Sequence, residues 1–200
     1  MMRRTALAVC LLALASRALA AGDAQRAIVQ EMTDRAIAVL ADKDLSSDEK
    51  RHRLEDIASA HTDFQTMSQL VLGRNWSQFS PQQQADFVKE FKAHLSMTYG
   101  RNIQNYRNEK VVIVGDREEA RGDWTVQTKI LRGGGAQDIL VDYRLRRQGD
   151  AWRVIDIVIE RVSLVANFRS QLQEVVTQGG PAKVIELLRE KNARGEPIAS

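Results

Sequence analysis

Apolar residues recur at two different periods in the two halves of this 200-residue chain. From Asp23 to about Tyr106 the spacing is helical. Ala27, Ile28, Met32, Ile37 and Leu40 fit one face of a first amphipathic helix. Ser46 with Glu49 is a capping-box pattern ahead of a second helix that carries Leu54, Ile57 and Ala58. Asp63 can cap a third, Phe64 to Leu72, which stops near Gly73. In Ser80-Pro81-Gln82-Gln83, Ser80 fits the N-cap, Pro81 the first helical position and Gln83 the reciprocal cap. Phe87, Phe91, Leu95, Tyr99 and Ile103 then recur every four residues, one aromatic-rich stripe on a long helix.

From Lys110 the period changes to two. Val111 to Val114 reads as a strand, Gly115-Asp116 as the start of a turn, and Trp124 to Leu131 as a second strand. Gly133-Gly134-Gly135 turns the chain into a hairpin. Its first strand places Ile139, Val141, Tyr143 and Leu145 on one face, and Gln148-Gly149-Asp150 makes the turn. The return strand, Trp152 to Ile159, is apolar on both faces, through Val154, Ile155, Ile157, Val158 and Ile159, broken only by Asp156. Both sides of that strand need a cover, and a ligand is one candidate. Connections this short imply an antiparallel meander of four strands or more. A helix from about Val162 to Thr177 follows, stopped by Gly179-Gly180, and Pro181 opens another through Val184, Ile185, Leu187 and Leu188.

The first twenty residues change the charge picture. Arg3 and Arg4 precede a short apolar run, Thr5 to Ser16, and Ala18-Leu19-Ala20 is a small-x-small cleavage pattern. Residues 1–20 are therefore expected to be a cleaved signal peptide, with Cys10 inside its apolar region, and the mature chain to be exported. The formal net charge of +3 comes from 29 basic and 26 acidic residues. Without Arg3, Arg4 and Arg17 the balance is even, which removes the electrostatic motive for a nucleic-acid partner. No cysteine remains for disulfides or thiol catalysis. The remaining ~180 residues can bury a core as one domain or one domain with a small lobe.

Candidate chemistry is sparse. His52, His61 and His94 show no metal-ligand spacing, and no nucleophile elbow, P-loop or dinucleotide fingerprint occurs. Gly133-Gly134-Gly135 opens no helix and so cradles no phosphate. Asp142 and Asp156, one in each hairpin strand, admit two readings. A carboxylate in an apolar cavity has a raised pKa and can act as a base, as in some cone-shaped isomerases. Alternatively both pair with Arg144, Arg153 or backbone donors at the sheet rim. The apolar excess of Phe87, Phe91, Leu95, Tyr99, Tyr143 and Trp152 is equally open, as a packed core or a lined cavity.

The residues resemble one family. Leu72-Gly73-Arg74-Asn75-Trp76, Phe79-Ser80-Pro81-Gln82-Gln83, Phe87 to Phe91 and Thr98-Tyr99 are similar to the LGR-x-W, LTPEQ, F-x-x-x-F and TY pattern of the MlaC family, periplasmic phospholipid carriers also called toluene-tolerance auxiliary proteins. Val141-Asp142-Tyr143-Arg144-Leu145, Trp152-Arg153-Val154, Asp156 to Glu160, Val162 to Val165, Asn167 to Ser170 and Gly179-Gly180 continue it in order. Arg161 departs from the family's usual glycine, and an arginine is expected to require a conventional backbone there.

The resemblance implies an α+β fold. A curved antiparallel sheet of four or more strands would be wrapped by helices as an NTF2-like cone, with a helical portion at 21–106 and the sheet and last helices at 107–193. It implies a single lipid-binding domain, 21–200, with phospholipid or a hopanoid-type lipid as cargo and no cofactor or metal. Acyl contacts are expected from Phe91, Leu95 and Tyr99 on the long helix and from Val141, Tyr143, Val154, Ile157 and Ile159 on the hairpin. Val165 and Phe168 on the following helix complete the set. A monomer in the periplasm is expected, with an inner-membrane ABC-type complex and an outer-membrane lipoprotein complex as partners. The alternatives are an NTF2-like enzyme using Asp142 or Asp156 as base, or an envelope interaction module with a filled interior.

Overall fold

A computed structural model of the chain describes residues 6–100 and 106–198, with side chains from Gly22 onward. The expected signal peptide, residues 1–20, and Ile103 of the long-helix stripe lie outside the residues whose side chains are described. Among the described residues there are five α-helices: α1 (Ala6–Ala41), α2 (Ser47–His61), α3 (Phe64–Leu72), α4 (Pro81–Gly100) and α5 (Leu164–Arg194). Between α4 and α5 run β1 (Lys110–Glu118), β2 (Trp124–Leu131), β3 (Ile139–Gln148), β4 (Ala151–Ile159) and the short β5 (Val162–Ser163).

The helix starts are built by local hydrogen bonds that satisfy otherwise orphaned N–H groups. Ser46 Oγ accepts the Glu49 N–H at 3.3 Å while the Glu49 carboxylate accepts the Ser46 N–H at 2.9 Å. Ser80 and Gln83 repeat that exchange ahead of α4, at 3.3 and 3.0 Å. The Asp63 carboxylate accepts the Thr66 N–H at 2.9 Å and starts α3. At the far end of the chain, Gly180 adopts φ +66°, ψ −170°, a backbone open in practice only to glycine. The two expected C-terminal helices are therefore the two arms of α5, joined by a kink at Gly180 and restarted by Pro181.

The sheet is an antiparallel meander in the order β1-β2-β3-β4-β5, open at both edges. Together with the helices it makes an α+β fold. Two register slips shape it. In β1 the slip lies between Ile113 and Gly115, so Gly115-Asp116 sits inside the strand and the turn comes later, at Ala120–Gly122. Glycine within a strand marks a bulge as readily as a turn, which is why the spacing misled. In β4, Val154 pairs with Leu145 and Asp156 with Arg144, leaving Ile155 as the extra residue. Glu160 and Arg161 join β4 to β5 with φ of +48° and +68°. Arg161 thus takes up the left-handed backbone itself, contrary to the conventional one expected, because a two-residue hairpin turn demands positive φ at both positions. That turn is pinned by Glu160, whose N–H donates to the Leu140 carbonyl at 2.9 Å and whose carboxylate accepts the Leu140 N–H at 2.6 Å.

Apolar residues collect in two clusters. One is helical, with Phe87 and Phe91 of α4 packed against Met67 and Val71 of α3 and Phe168 and Leu172 of α5. The other joins Val29 and Met32 of α1 and Ile57 of α2 to Val126, Leu145 and Val154 of the sheet. Ile157 of β4 touches both. The chain from α2 to α3 is stitched to the sheet where the β4 register slips, the Asp63 N–H donating to the Val154 carbonyl at 2.9 Å.

Candidate functional site

Between the clusters lies a cavity of about 390 Å³. Its floor is sheet: Val141 and Tyr143 of β3, Ile157 and Ile159 of β4, and Ile130 of β2. Register explains the floor. Val141 pairs with Ile159, and Tyr143 with Ile157, so four apolar side chains stand on one face as two cross-strand pairs. The extra residue Ile155 makes this work. Strict alternation would set Val154, Asp156 and Val158 on one face; the bulge instead aligns Val154 with Ile157 and Ile159 and takes Asp156 out of the apolar row.

Helices supply the walls. Leu54 and Ala58 of α2, Phe64 and Met67 of α3, and Leu95 and Tyr99 of α4 face the space, with Leu164 at the start of α5. Spacing of four places Leu54 with Ala58, and Leu95 with Tyr99, on single helix faces. Burial raises both phenols, Tyr99 upward from its ordinary value and Tyr143 to about 12, so both stay neutral at any physiological pH. The mouth is polar: Arg51, Glu55, Lys92 and Ser96 border it, and the Ser96 hydroxyl donates to the Glu55 carboxylate across it. Two surface grooves are larger, about 590 and 570 Å³, but polar side chains of α2 and α4 and of α5 make up most of their walls. The lining chemistry, not volume, singles out the apolar cavity.

Six of the ten candidate residues meet there: Leu95, Tyr99, Val141, Tyr143, Ile157 and Ile159. The other four pack elsewhere. Phe91, Val165 and Phe168 are buried in the helical cluster, Phe91 with its ring 5.1 Å from that of Phe168. Val154 is buried under α1 and α2. Sequence reasoning missed Leu54, Ala58, Phe64 and Met67, although the capping signals of α2 and α3 were read and their apolar faces follow from those starts.

The two carboxylates lie apart from the cavity. Asp142 alternates with Val141 and Tyr143 and so projects from the opposite face of β3. Burial pushes its carboxyl up, opposed by Arg117 and a hydrogen bond from Gln127. Asp156 is buried at the start of α5, accepting the Ser163 hydroxyl at 2.6 Å and the Val165 N–H at 3.1 Å. Of the partners expected for the two acids, Asp156 thus takes a backbone donor, while Arg144 donates to Asp123 at 3.0 Å. Neither acid is placed to act on a molecule in the cavity. Among the described residues no group of three His, Cys, Asp or Glu side chains is placed to hold a metal.

Comparison with known proteins agrees with the geometry. The profile of the family described as MlaC protein matches residues 30–190. The chain belongs to the MlaC family. A solved structure of the phospholipid-binding protein from Ralstonia solanacearum, in complex with a phospholipid, superposes with a TM-score of 0.76 at 29% identity, covering 84% of this chain and 97% of that one. The intermembrane phospholipid transport system binding protein MlaC of Haemophilus influenzae is 26% identical over 98 residues, 48% of this chain and 46% of its own length. The toluene tolerance protein ttg2D of Pseudomonas putida is 24% identical over 101 residues, 50% of this chain and 46% of its own length. The chain thus spans about half the length of the curated relatives it matches.

Proposed function

We propose that this MlaC-family chain is a lipid-binding transport protein that carries a phospholipid with acyl chain in the apolar cavity and headgroup at the polar mouth. The observation that carries the reading is the cavity itself: a dry floor of paired strand residues, three apolar helix walls and a charged rim. At the roughly 30 Å³ that a water-sized group occupies, 390 Å³ has room for about a dozen methylenes. That is most of one acyl chain, so a second chain requires the mouth to widen. A dozen methylenes left in water would cost roughly 10 kcal/mol at ~0.8 kcal/mol each. Moving them from a bilayer into this cavity exchanges one dry environment for another, and the small net free energy suits pick-up and delivery.

The reading extends to location and partners. With residues 1–20 as an export signal, the protein works in the periplasm and passes lipid between an inner-membrane ABC-type complex and an outer-membrane complex. No helix among the described residues is long and apolar enough to cross a membrane, in keeping with a carrier that leaves the bilayer. Support comes from the family membership and from the relatives named for phospholipid binding and transport. The test is mass spectrometry of protein purified gently from its own envelope and then denatured. Stoichiometric phospholipid is the expected result; protein that is repeatedly empty, and that takes none from vesicles, would overturn the reading.

A further inference from the structure

The apolar cavity does not end at a blank rim. It runs into the groove of about 590 Å³ between the first half of α2 and the second half of α4, and the two spaces share Arg51, Glu55, Lys92, Ser96 and Gly100. On α4 the faces are divided. Leu95 and Tyr99 look into the cavity, while Lys89, Lys92 and Ser96, at spacings of three and four, look into the groove. Lys92 stands at the joint, its ammonium 5.6 Å from the centre of the Phe64 ring, which is itself a cavity wall.

The charges in the groove are unevenly satisfied. Its two carboxylates are occupied: Asp48 accepts from Arg51 at 3.1 Å, and Glu55 takes the Ser96 hydroxyl with Arg51 3.8 Å away. Its cations are in excess, Arg51, Lys89 and Lys92 against Asp48 and Glu55. Among the described residues neither Lys89 nor Lys92 has a carboxylate within 4.0 Å. A tetrahedral anion tethered to an apolar chain matches that layout, with the chain in the dry space and the anion among N–H donors at its exit.

We propose that Lys92 and Arg51 hold the phosphodiester of the carried lipid at the joint between cavity and groove. This inference rests on the carrier reading and sharpens it, because it selects glycerophospholipids over uncharged lipids of the same chain length, including neutral polycyclic ones. Lys89, farther along the groove, adds to the field without touching the phosphate. The attraction weakens with salt, since the site is open to solvent at one end.

The experiment loads the lipid-free full chain from vesicles that contain equimolar phosphatidylethanolamine and diacylglycerol with identical acyl chains, and counts bound lipid by mass spectrometry. Wild type is expected to favour the phospholipid by about tenfold, equivalent to about 1.4 kcal/mol. Arg51→Gln with Lys92→Gln should lower phospholipid uptake about tenfold and leave diacylglycerol uptake unchanged. Lys92→Arg should retain the preference, and unchanged thermal midpoints would establish that the variants are folded. Equal loading of both lipids by wild type, or equal losses of both in the double variant, would overturn the phosphate site while leaving the carrier reading intact. Loading of neither lipid would sink the carrier reading itself. Saturable binding of inorganic phosphate, abolished in the double variant with no lipid preference, would assign the cations to a free anion and overturn the proposal.

Discussion

The two halves of α4 carry one continuous apolar stripe, yet they live in different surroundings. Phe87 and Phe91 are 0% exposed, their rings 5.6 Å apart, and Phe168 meets Phe91 edge-on. Leu95 and Tyr99, one and two turns on, face open space. What differs is the covering element. Phe168 of the first arm of α5 packs against Phe91, and Arg189 and Asn192 of the second arm bond to Asp86 and Glu90, whereas beyond Leu95 the facing surface is the sheet floor, with α2 and α3 as the other walls. Hydrophobicity along a helix therefore marks what must leave water. It does not say whether protein or cargo takes the water's place.

Truncations on the two halves should separate them most widely. Phe91→Ala empties a close-packed site and is expected to cost about 3–5 kcal/mol of unfolding free energy. Tyr99→Ala enlarges a space that is already hollow and should cost less than about 1.5 kcal/mol. Urea denaturation of the lipid-free proteins gives both numbers. Comparable losses at the two positions would mean that the cavity wall is as tightly packed as the core, and the contrast would fail. Lipid loading should respond in the opposite sense, falling for Tyr99→Ala and holding for any Phe91 variant that folds.

The packed half also contains a buried titratable group, which gives a second and smaller contrast. His94 is 0% exposed, between Phe168 and the end of α5. Asn192 donates its amide to the Glu90 carbonyl at 3.0 Å and to the Glu90 carboxylate at 3.2 Å, so its oxygen is left to accept from His94 Nδ1 at 2.9 Å. This network assigns the proton to Nδ1 and leaves Nε2 buried without a partner among the described residues. Burial holds the imidazole pKa below its ordinary 6.5, against the Asn192 hydrogen bond, with the Lys191 ammonium adding to the depression. The unfolded chain therefore takes up a proton first as pH falls, and stability is lost on going down from about pH 6.5. Between about pH 7.5 and pH 5.5 the denaturation midpoint of wild type should drop, and His94→Gln should flatten part of that slope. His61 on α2, lowered by burial as well, contributes in the same direction. An unchanged slope in His94→Gln would show that the packed half tolerates the charge.

Much of this arrangement was legible in the sequence, for reasons that are local. The caps at Ser46, Asp63 and Ser80 are set within four residues of chain, and all three form as read. The Val141 and Tyr143 face follows from strand alternation alone. What escaped were features decided by partners distant in sequence. Ile155 becomes the extra residue of a bulge only because β3 offers Arg144 and Leu145 in succession on the other side, and nothing in its own neighbours announces it. Helical spacing sets Phe91 on the α4 stripe, but only the path of α5 brings Phe168 to it and packs both in the helical cluster outside the cavity lining. Gly115-Asp116 carried a turn signal that the β1–β2 pairing overrode.

The smallest contrast concerns the turn that links the two regions. Glu160-Arg161 lies where β4 leaves the cavity floor and the chain enters α5, and it holds two non-glycine residues at positive φ. Left-handed backbone costs an L-residue with a Cβ about 1–2 kcal/mol, and a glycine at that position avoids it. Glycine also raises the entropy of the unfolded chain, which takes back roughly 0.5–1 kcal/mol. Arg161→Gly should therefore stabilise the protein by about 0.5 kcal/mol net, while Arg161→Ala, which keeps its Cβ, should gain nothing. Because Arg161 is exposed and is not part of the cavity lining, lipid loading should be the same in all three proteins. A loss of stability in Arg161→Gly would instead show that the arginine side chain contributes a contact stronger than the strain it imposes. The turn would then be coupled to one of the two halves it joins, and lipid loading in the same variant would reveal which.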